Sequence, residues 1–311
     1  MKMRLLLPVV LICALFRTAM GAQMFVVGLY DGTIGEYTTS GATVNSALVS
    51  GLYTPDAIAI SGNHLFVASR DGGTIGEYTT SGATVNASLI SGLNTAQTIA
   101  ISGNHLFVAN YDTFGLPTGR ISEYTTSGEL VNPAVVSGLN APTAIAISGD
   151  KLFVASIGDG VVGEYTTSGA TVNATLISGL SYPEGLAISG DKLFVANAGS
   201  STVGEYTTSG ATVNATLLSG LNDPLRIAVF GNNLFVSQAD TGTIGEYTTA
   251  GATVNPALIS GLNGPDGIAI VSTSVPDRSS TCILLLLASL ATFAFRALTR
   301  PSRAPARAIL V

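Results

Sequence analysis

Short apolar and alternating segments, separated by turns about every ten residues, run through most of the chain. Residues 57–61 read Ala-Ile-Ala-Ile-Ser and residues 64–68 read His-Leu-Phe-Val-Ala, and both segments are apolar enough to be buried on two faces. Two further segments, 74–79 and 84–90, follow after Gly-containing turns. No segment keeps an apolar period of 3.6 residues over about ten residues, so the pattern predicts four strands per unit and almost no helix.

This four-strand unit recurs six times along the chain. A Gly/Ser-Glu-Tyr tripeptide marks each copy, and its glutamates are spaced by 41, 46, 41, 41 and 41 residues. The longer spacing comes from an insertion within residues 110–119. Four strands in a repeat of about 40 residues are typical of a propeller blade. The sequence therefore predicts an all-β fold, a six-bladed β-propeller with four antiparallel strands per blade.

The two ends of the repeat region predict how the ring closes. Residues 25–27 align with the second strand of the later repeats, whereas residues 266–270 form a lone first strand. One closing blade is therefore expected to combine residues 24–50 with residues 266–271. Such sharing between the two ends would hide two sheet edges that would otherwise be free to pair with other chains.

The repeat consensus resembles that of six-bladed NHL-type propellers. The pattern Gly-Leu-Asn-x-Pro-x-Gly-Ile-Ala-Ile is seen at 261–270 and recurs around 179–197, and the resemblance covers residues 24–271. It implies the propeller architecture and leaves activity open, since propellers carry many functions. The arginine often found in the third strand of NHL repeats is absent here, so RNA binding is not carried over.

Charge and cysteine content narrow the function further. Residues 22–274 hold five Lys and Arg against 18 Asp and Glu, a net charge of −13. Such a field repels phosphate backbones, which argues against nucleic acid as a partner. Both cysteines, Cys13 and Cys282, lie outside the repeats, so neither a disulfide framework nor cysteine chemistry is expected within them.

The two ends of the chain have the composition of targeting segments. Residues 1–22 combine two early basic residues, an apolar run at 5–16 and small residues at 19–22, which predicts a secretory signal peptide. The propeller would then occupy residues 23–272. Residues 273–311 would form a C-terminal segment with a short motif at 275–281, an uncharged apolar run at 282–295 and an Arg-rich stretch at 296–307.

This C-terminal order resembles the PEP-CTERM class of bacterial sorting signals, nearest to its Val-Pro-Asp-Ser-Gly variant. Val275, Pro276 and Asp277 match that variant. The resemblance implies processing by a sorting protease of the exosortase type and display on the membrane or cell surface, with release after processing as a further outcome. The trailing arginines suit the cytoplasmic end of a transmembrane helix. A plain tail anchor is the alternative, and a buried core helix is disfavoured because four arginines follow the apolar run.

Candidate chemistry within the repeats is sparse. His64 and His105 follow Gly-Asn in a turn where sister repeats have Lys151, Lys192 and Asn233, so this position is interpreted as a solvated turn rather than a ligand or base. The six repeated glutamates are interpreted as structural groups bonded to threonine hydroxyls or backbone amides, with a cation-binding rim as the alternative. They are Glu36, Glu77, Glu123, Glu164, Glu205 and Glu246.

Positions that differ between the copied repeats converge on the expected central channel. At the start of the first strand they are Asp56, Gln97, Thr143, Glu184, Leu225 and Asp266, and at the end of the second strand Gly28, Ser69, Asn110, Ser156, Asn197 and Gln238. Converging carboxylates either share protons or hold a hard cation such as Ca²⁺, which prefers oxygen ligands. The sequence predicts such a metal site on Asp56, Glu184, Asp266 and Asn197, with a solvated channel mouth as the alternative.

Residues 182–185, Tyr-Pro-Glu-Gly, resemble the Glu-Gly pair of six-bladed gluconolactonase-like hydrolases, whose channel holds a divalent metal. This resemblance implies a metal-dependent lactonase or esterase, with Asn197 as an amide ligand. The channel Arg and His of those enzymes find no counterpart in the sequence pattern. Two functions therefore stay open: a non-enzymatic exported module that binds extracellular polysaccharide or surface proteins, and a metal-dependent hydrolase. Near-identical blades favour the first.

Overall fold

The computed structural model describes residues 22–110 and 116–272. The predicted signal peptide, except for residue 22, lies outside these residues. The predicted sorting segment from residue 273 and residues 111–115 of the insertion lie outside them as well.

Strands make up almost all of the regular structure, with one 3₁₀ turn at Ala198–Ser200 among the described residues. In chain order the strands are β1 (Gln23–Gly28), β2 (Thr33–Thr38), β3 (Thr43–Val49), β4 (Pro55–Ser61), β5 (His64–Ser69), β6 (Thr74–Thr79), β7 (Thr84–Ile90), β8 (Ala96–Ser102), β9 (His105–Asn110), β10 (Gly119–Thr125), β11 (Leu130–Leu139), β12 (Pro142–Ser148), β13 (Lys151–Ser156), β14 (Val161–Thr166), β15 (Thr171–Ile177), β16 (Pro183–Ser189), β17 (Lys192–Asn197), β18 (Thr202–Thr207), β19 (Thr212–Ser219), β20 (Pro224–Phe230), β21 (Asn233–Gln238), β22 (Thr243–Thr248), β23 (Thr253–Ile259) and β24 (Pro265–Val271).

These strands form six antiparallel four-stranded sheets arranged in a ring. Five sheets consist of consecutive strands, and the sixth has the order β24-β1-β2-β3. The inner strand of each sheet contacts the inner strands of both neighbours, in the cyclic order β24, β4, β8, β12, β16 and β20. The predicted six-bladed propeller is confirmed. The closing blade built from both ends is confirmed as well, with Phe25 paired to Ala269 across β1 and β24.

The core lies between neighbouring blades, which explains why the second strand of each blade is apolar on both faces. Phe66 packs with Leu106 and Val108 of the following blade. Leu65 and Val67, which point the opposite way along the same strand, pack with Phe25 of the preceding blade. The repeated Leu-Phe-Val segment thus contributes to two interfaces at once.

The Gly-Glu-Tyr signature has a steric basis in the third strand. The tyrosine ring folds back over the glycine two residues earlier, so that a Cβ atom at Gly76 would lie 2.8 Å from the ring of Tyr78. The same arrangement occurs in four other blades. Glycine at this position lets the aromatic ring cover the sheet, and Tyr78 is 5% exposed as a result.

The repeated glutamate between this glycine and tyrosine pairs with the first residue of the second strand. His64 lies opposite Thr79, so it shares a face with Glu77, and its Nδ1 atom is 2.7 Å from a Glu77 carboxylate oxygen. Equivalent contacts of 2.7 to 2.8 Å join Gln23, His105, Lys151, Lys192 and Asn233 to Glu36, Glu123, Glu164, Glu205 and Glu246, respectively.

The structural role predicted for the repeated glutamates is supported, but the partners predicted for them were wrong. The glutamates bond to neither threonine hydroxyls nor backbone amides in these contacts, and the variable turn residue is their partner. Gln, His, Lys and Asn are interchangeable there because each supplies one N–H donor at the same place. The histidines are accordingly placed in structural pairs.

Candidate functional site at the channel mouth

A β-bulge at the start of four inner strands, β4, β8, β12 and β16, turns one side chain out of the regular alternation. In β4, residues 55 and 57 pair with the consecutive residues 69 and 68 of β5, which leaves Asp56 without a cross-strand partner. Bulges redirect side chains in this way. Gln97, Thr143 and Glu184 occupy the same bulge position in their blades, and Asp266 lies in the corresponding irregularity of β24.

β20 has the same wider irregularity as β24, in which residues 265 and 268 pair with residues 28 and 26 of β1. Residues 224 and 227 pair with residues 238 and 236 of β21, so both Leu225 and Arg226 stand opposite Ser237. The Arg226 backbone N–H donates to the Ser237 hydroxyl at 2.9 Å instead of joining the regular ladder. Both Leu225 and Arg226 therefore line the channel mouth.

Arg226 lies among the three carboxyl groups that the sequence analysis singled out. Its Nε atom is 3.2 Å from an Asp266 oxygen, and its terminal nitrogens are 3.5 Å from Glu184 and 3.7 Å from Asp56. It also donates to the backbone carbonyl of Glu184 at 2.6 Å, which ties β20 to β16. Arg226 is 8% exposed, Asp266 3% and Asp56 fully buried.

The sequence analysis therefore missed Arg226, which lines the channel mouth although it is not one of the positions predicted to do so. Arg226 takes the place that small residues hold in the other blades, such as Ala57 and Gly185. Two local departures from the repeat signalled it: the arginine itself, and Ser237 where four other blades have alanine. These two departures are coupled, because the Ser237 hydroxyl accepts from the Arg226 backbone.

Burial and neighbouring charges act in opposite directions on these groups. Burial alone would lower the pKa of the Arg226 guanidinium, but the three carboxyl groups outweigh it, so the pKa is raised and the group stays charged. Burial raises the pKa of Asp266 well above its usual value, Arg226 offsets this only in part, and Asp56 raises it further. Burial also raises the pKa of Glu184. Arg226 therefore remains a cation at the centre of three carboxyl groups.

A cavity of about 210 Å³ opens beside this cluster. Its wall includes Asp56, Gln97, Glu184, Asp266 and Arg226, together with Arg70, Asp223 and several apolar groups. Thr143 does not line the cavity. Its hydroxyl donates instead to the backbone carbonyl of Pro183 at 2.6 Å. Five of the six first-strand positions thus reach the cavity, counting Leu225.

Asn197 does not join the three carboxyls at the cavity wall. It pairs with Pro183 at the end of β17, and its amide donates to the Val195 carbonyl at 3.4 Å. The other residues at the ends of second strands are likewise absent from the cavity wall. The starts of the first strands and the ends of the second strands therefore do not line the same cavity. The bulges that cause this difference are not visible in the sequence pattern.

The predicted metal ligands are therefore only partly brought together. Within the described part of the chain, no group of three or more His, Cys, Asp or Glu side chains is arranged to hold a metal ion. A divalent ion between Asp56, Glu184 and Asp266 would have to compete with the Arg226 guanidinium. Metal binding at these residues stays a prediction.

The fold and this site define the class of the protein as a six-bladed β-propeller. The profile of the LVIVD repeat matches residues 55–75 and 94–113, which include the first two strands of two blades. No curated protein sequence matches the chain. Within residues 22–110 and 116–272, no helix is long and apolar enough to cross a membrane. The apolar run 282–295 lies outside those residues.

Several solved structures share the architecture. A chain from the crystal structure of a nidogen/laminin complex is 15% identical with a TM-score of 0.70, covering 80% of this chain and 98% of that chain. A protein of unknown function from Bacteroides caccae is 14% identical with a TM-score of 0.63, covering 81% and 99%. A functionally unknown protein from Desulfotomaculum acetoxidans is 15% identical with a TM-score of 0.58, covering 80% and 98%. At these identities the likeness establishes the fold alone.

Proposed function

We propose that the protein is an exported β-propeller displayed at the cell surface, where it acts as a non-enzymatic interaction module. The observation that carries this proposal is the repetition of its outer surface. All six outer strands, β3, β7, β11, β15, β19 and β23, lack charged residues. Each presents one valine that is 49% to 57% exposed, namely Val44, Val85, Val131, Val172, Val213 and Val254.

Such outer strands are suited to contact another molecule. Proteins usually protect free sheet edges with charges or proline. Here Pro133 and Pro256 lie in two of the outer strands, and the other four have neither device. Six equivalent apolar sites around one ring would bind a repetitive partner, such as a surface polysaccharide or a surface protein array, with an avidity that no single site provides. A propeller of similar shape also occurs in a nidogen/laminin complex.

Replacing the six exposed valines with threonine should weaken binding without unfolding the ring. Threonine has nearly the same shape and suits a strand, so only the apolar contact is lost. We expect adsorption of the purified protein to cells that lack it to fall by about tenfold or more. A tenfold loss of affinity corresponds to only about 1.4 kcal/mol of binding free energy, summed over all six sites. Flow cytometry of labelled protein measures this.

The matched control replaces neighbouring exposed alanines with serine. These residues lie just before five of the outer strands and should leave adsorption unchanged: Ala42, Ala83, Ala170, Ala211 and Ala252. Adsorption that is equal for the valine variant, the control and the wild type would contradict the role of the outer strands.

The proposed surface location is tested by deleting residues 275–311. In intact cells, the full chain should be labelled by a membrane-impermeant reagent and should sediment with membranes, whereas the shortened chain should be released into the periplasm or medium. Replacing Arg296, Arg300, Arg303 and Arg307 with serine should disturb membrane orientation instead. A shortened chain that still sediments with membranes would exclude residues 275–311 as the anchor.

The hydrolase alternative finds support in the convergence of Asp56, Glu184 and Asp266, but the contacts of Arg226 weaken it. A lactonase of this type would use a divalent ion as a Lewis acid. The guanidinium already occupies the space between these carboxyls, where a metal ion would have to sit. We therefore favour binding over catalysis as the function.

A further inference from the structure

The cavity at the channel mouth has the chemistry of a site for a primary alkylammonium group, and we infer that it binds one, either as a free amine or as a lysine side chain. This inference concerns the channel mouth and not the outer strands. It stands or falls independently of the binding proposed for those strands.

The cavity wall carries buried acceptors that have no hydrogen-bond partner. Both carboxylate oxygens of Asp56 and the amide oxygen of Gln97 are in this state. One oxygen of Asp266 also accepts no hydrogen bond of good geometry, although it lies 3.2 Å from the Nε atom of Arg226. The three side chains are at least nine-tenths buried, line the cavity and come from the adjacent inner strands β4, β8 and β24. Acceptors left unpaired in such positions are costly. An ammonium group supplies three donors from one atom and so matches this set.

The charge around the cavity also favours a cation. Four carboxyl groups, those of Asp56, Glu184, Asp223 and Asp266, face only two guanidinium groups. Arg226 is held by the Glu184 backbone carbonyl, so it remains 3.7 Å from Asp56. Arg70 is 3.8 Å from the same oxygen and its side chain is 32% exposed. An incoming ammonium would displace only this partly exposed, weakly held neighbour.

The remaining wall suits an alkyl stem rather than a bare ion. Leu29, Leu225 and Ala239 contribute apolar surface, and Tyr30 stands at the outer edge with 74% exposure. The Tyr30 ring lies against Gly264, where a Cβ atom would be only 2.6 Å away. A ligand whose cationic head reaches Asp56 can thus place its carbons against Leu29 and the tyrosine ring. A metal ion would use none of these groups.

Calorimetric titration of the purified full-length chain with n-butylammonium tests the inference. We expect saturable binding at one site per chain. 1-Butanol lacks the charge and tetramethylammonium lacks the N–H donors, so both should bind at least about tenfold more weakly. The tripeptide Gly-Lys-Gly, compared with free n-butylammonium, distinguishes a lysine side chain from a small amine as the preferred source.

Three variants give the site a signature that general destabilisation would not produce. Asp56→Asn should lower the affinity for n-butylammonium by about tenfold or more, because a charged acceptor is lost. Arg70→Gln should raise the affinity several-fold, because a competing cation is removed. Asp191→Asn changes the net charge by the same amount as Asp56→Asn at an exposed position outside the cavity wall, and should leave the affinity unchanged.

Gln97→Leu provides a second loss-of-binding variant if Asp56→Asn does not fold, as judged by circular dichroism. The inference is overturned if wild-type protein does not bind n-butylammonium at millimolar concentration, or if 1-butanol binds equally well. It is also overturned if Asp56→Asn and Gln97→Leu fold and bind like the wild type. Binding of Ca²⁺ without binding of the amine would assign the cavity to a metal instead.

Discussion

Replacing Arg226 with alanine is expected to lower the free energy of unfolding by about 3–5 kcal/mol, the usual cost of removing one partner from a buried ion cluster. Three carboxyl groups would then face one another with no internal cation, and the Glu184 carbonyl would lose its donor. Because β20 and β16 are joined through this contact, the effect should be global. Urea unfolding followed by circular dichroism measures it.

Arg70→Ala is the matched control for this loss. Arg70 also approaches Asp56, but its side chain is 32% exposed and lies 3.8 Å away, so we expect a change below about 1 kcal/mol. Equal losses for the two variants would show that Arg226 is no more than a surface charge. A loss below about 1 kcal/mol for Arg226→Ala would contradict its central place in the cluster.

Ending the chain at Pro265 is expected to destabilise the protein still more, by at least about 5 kcal/mol or to the point where it no longer folds. The truncation removes the strand that pairs with β1, together with Asp266 and the packing of Ile268 and Ile270. Both isoleucines are partly buried, so each contributes less than the value of about 1.5–3 kcal/mol for a fully buried side chain, and the rest of the loss comes from the lost strand pairing. The ring would open and expose two strand edges.

A chain ending at Ser272 is the control, since it retains β24 and lacks only residues 273–311. It should unfold cooperatively at nearly the temperature of the full chain. If the chain ending at Pro265 melts at the same temperature as this control, closure by β24 contributes nothing and the account of the ring fails.

The blades were predictable because their determinants recur in every copy. Apolar segments of strand length, glycine-containing turns and a spacing of 41 residues specify four strands per blade, and the offset of residues 25–27 and 266–270 specifies the closure. Each of these signals depends on periodicity, which survives even where single residues vary.

The arrangement of the site depends on features that periodicity does not encode. A bulge changes which residue faces the channel without altering the strand pattern, so Asp56 and Asn197 were predicted to meet and do not. Arg226 occurs in a single blade, so the repeat does not mark it as a channel residue. It directly follows Leu225, the residue at the first-strand position that was compared between the blades. Contacts across two strands, such as His64 with Glu77, require knowledge of the register that a turn sequence alone does not supply.

Calorimetric titration of the full-length protein with Ca²⁺, Mg²⁺ and Zn²⁺ tests most directly the claim that Arg226, rather than a metal ion, occupies the centre of the carboxyl cluster at the channel mouth. The account predicts no saturable binding of these ions at millimolar concentration by the wild-type protein. Stoichiometric binding of one divalent ion that is lost in Glu184→Gln would contradict it and would favour the metal-dependent hydrolase over the interaction module.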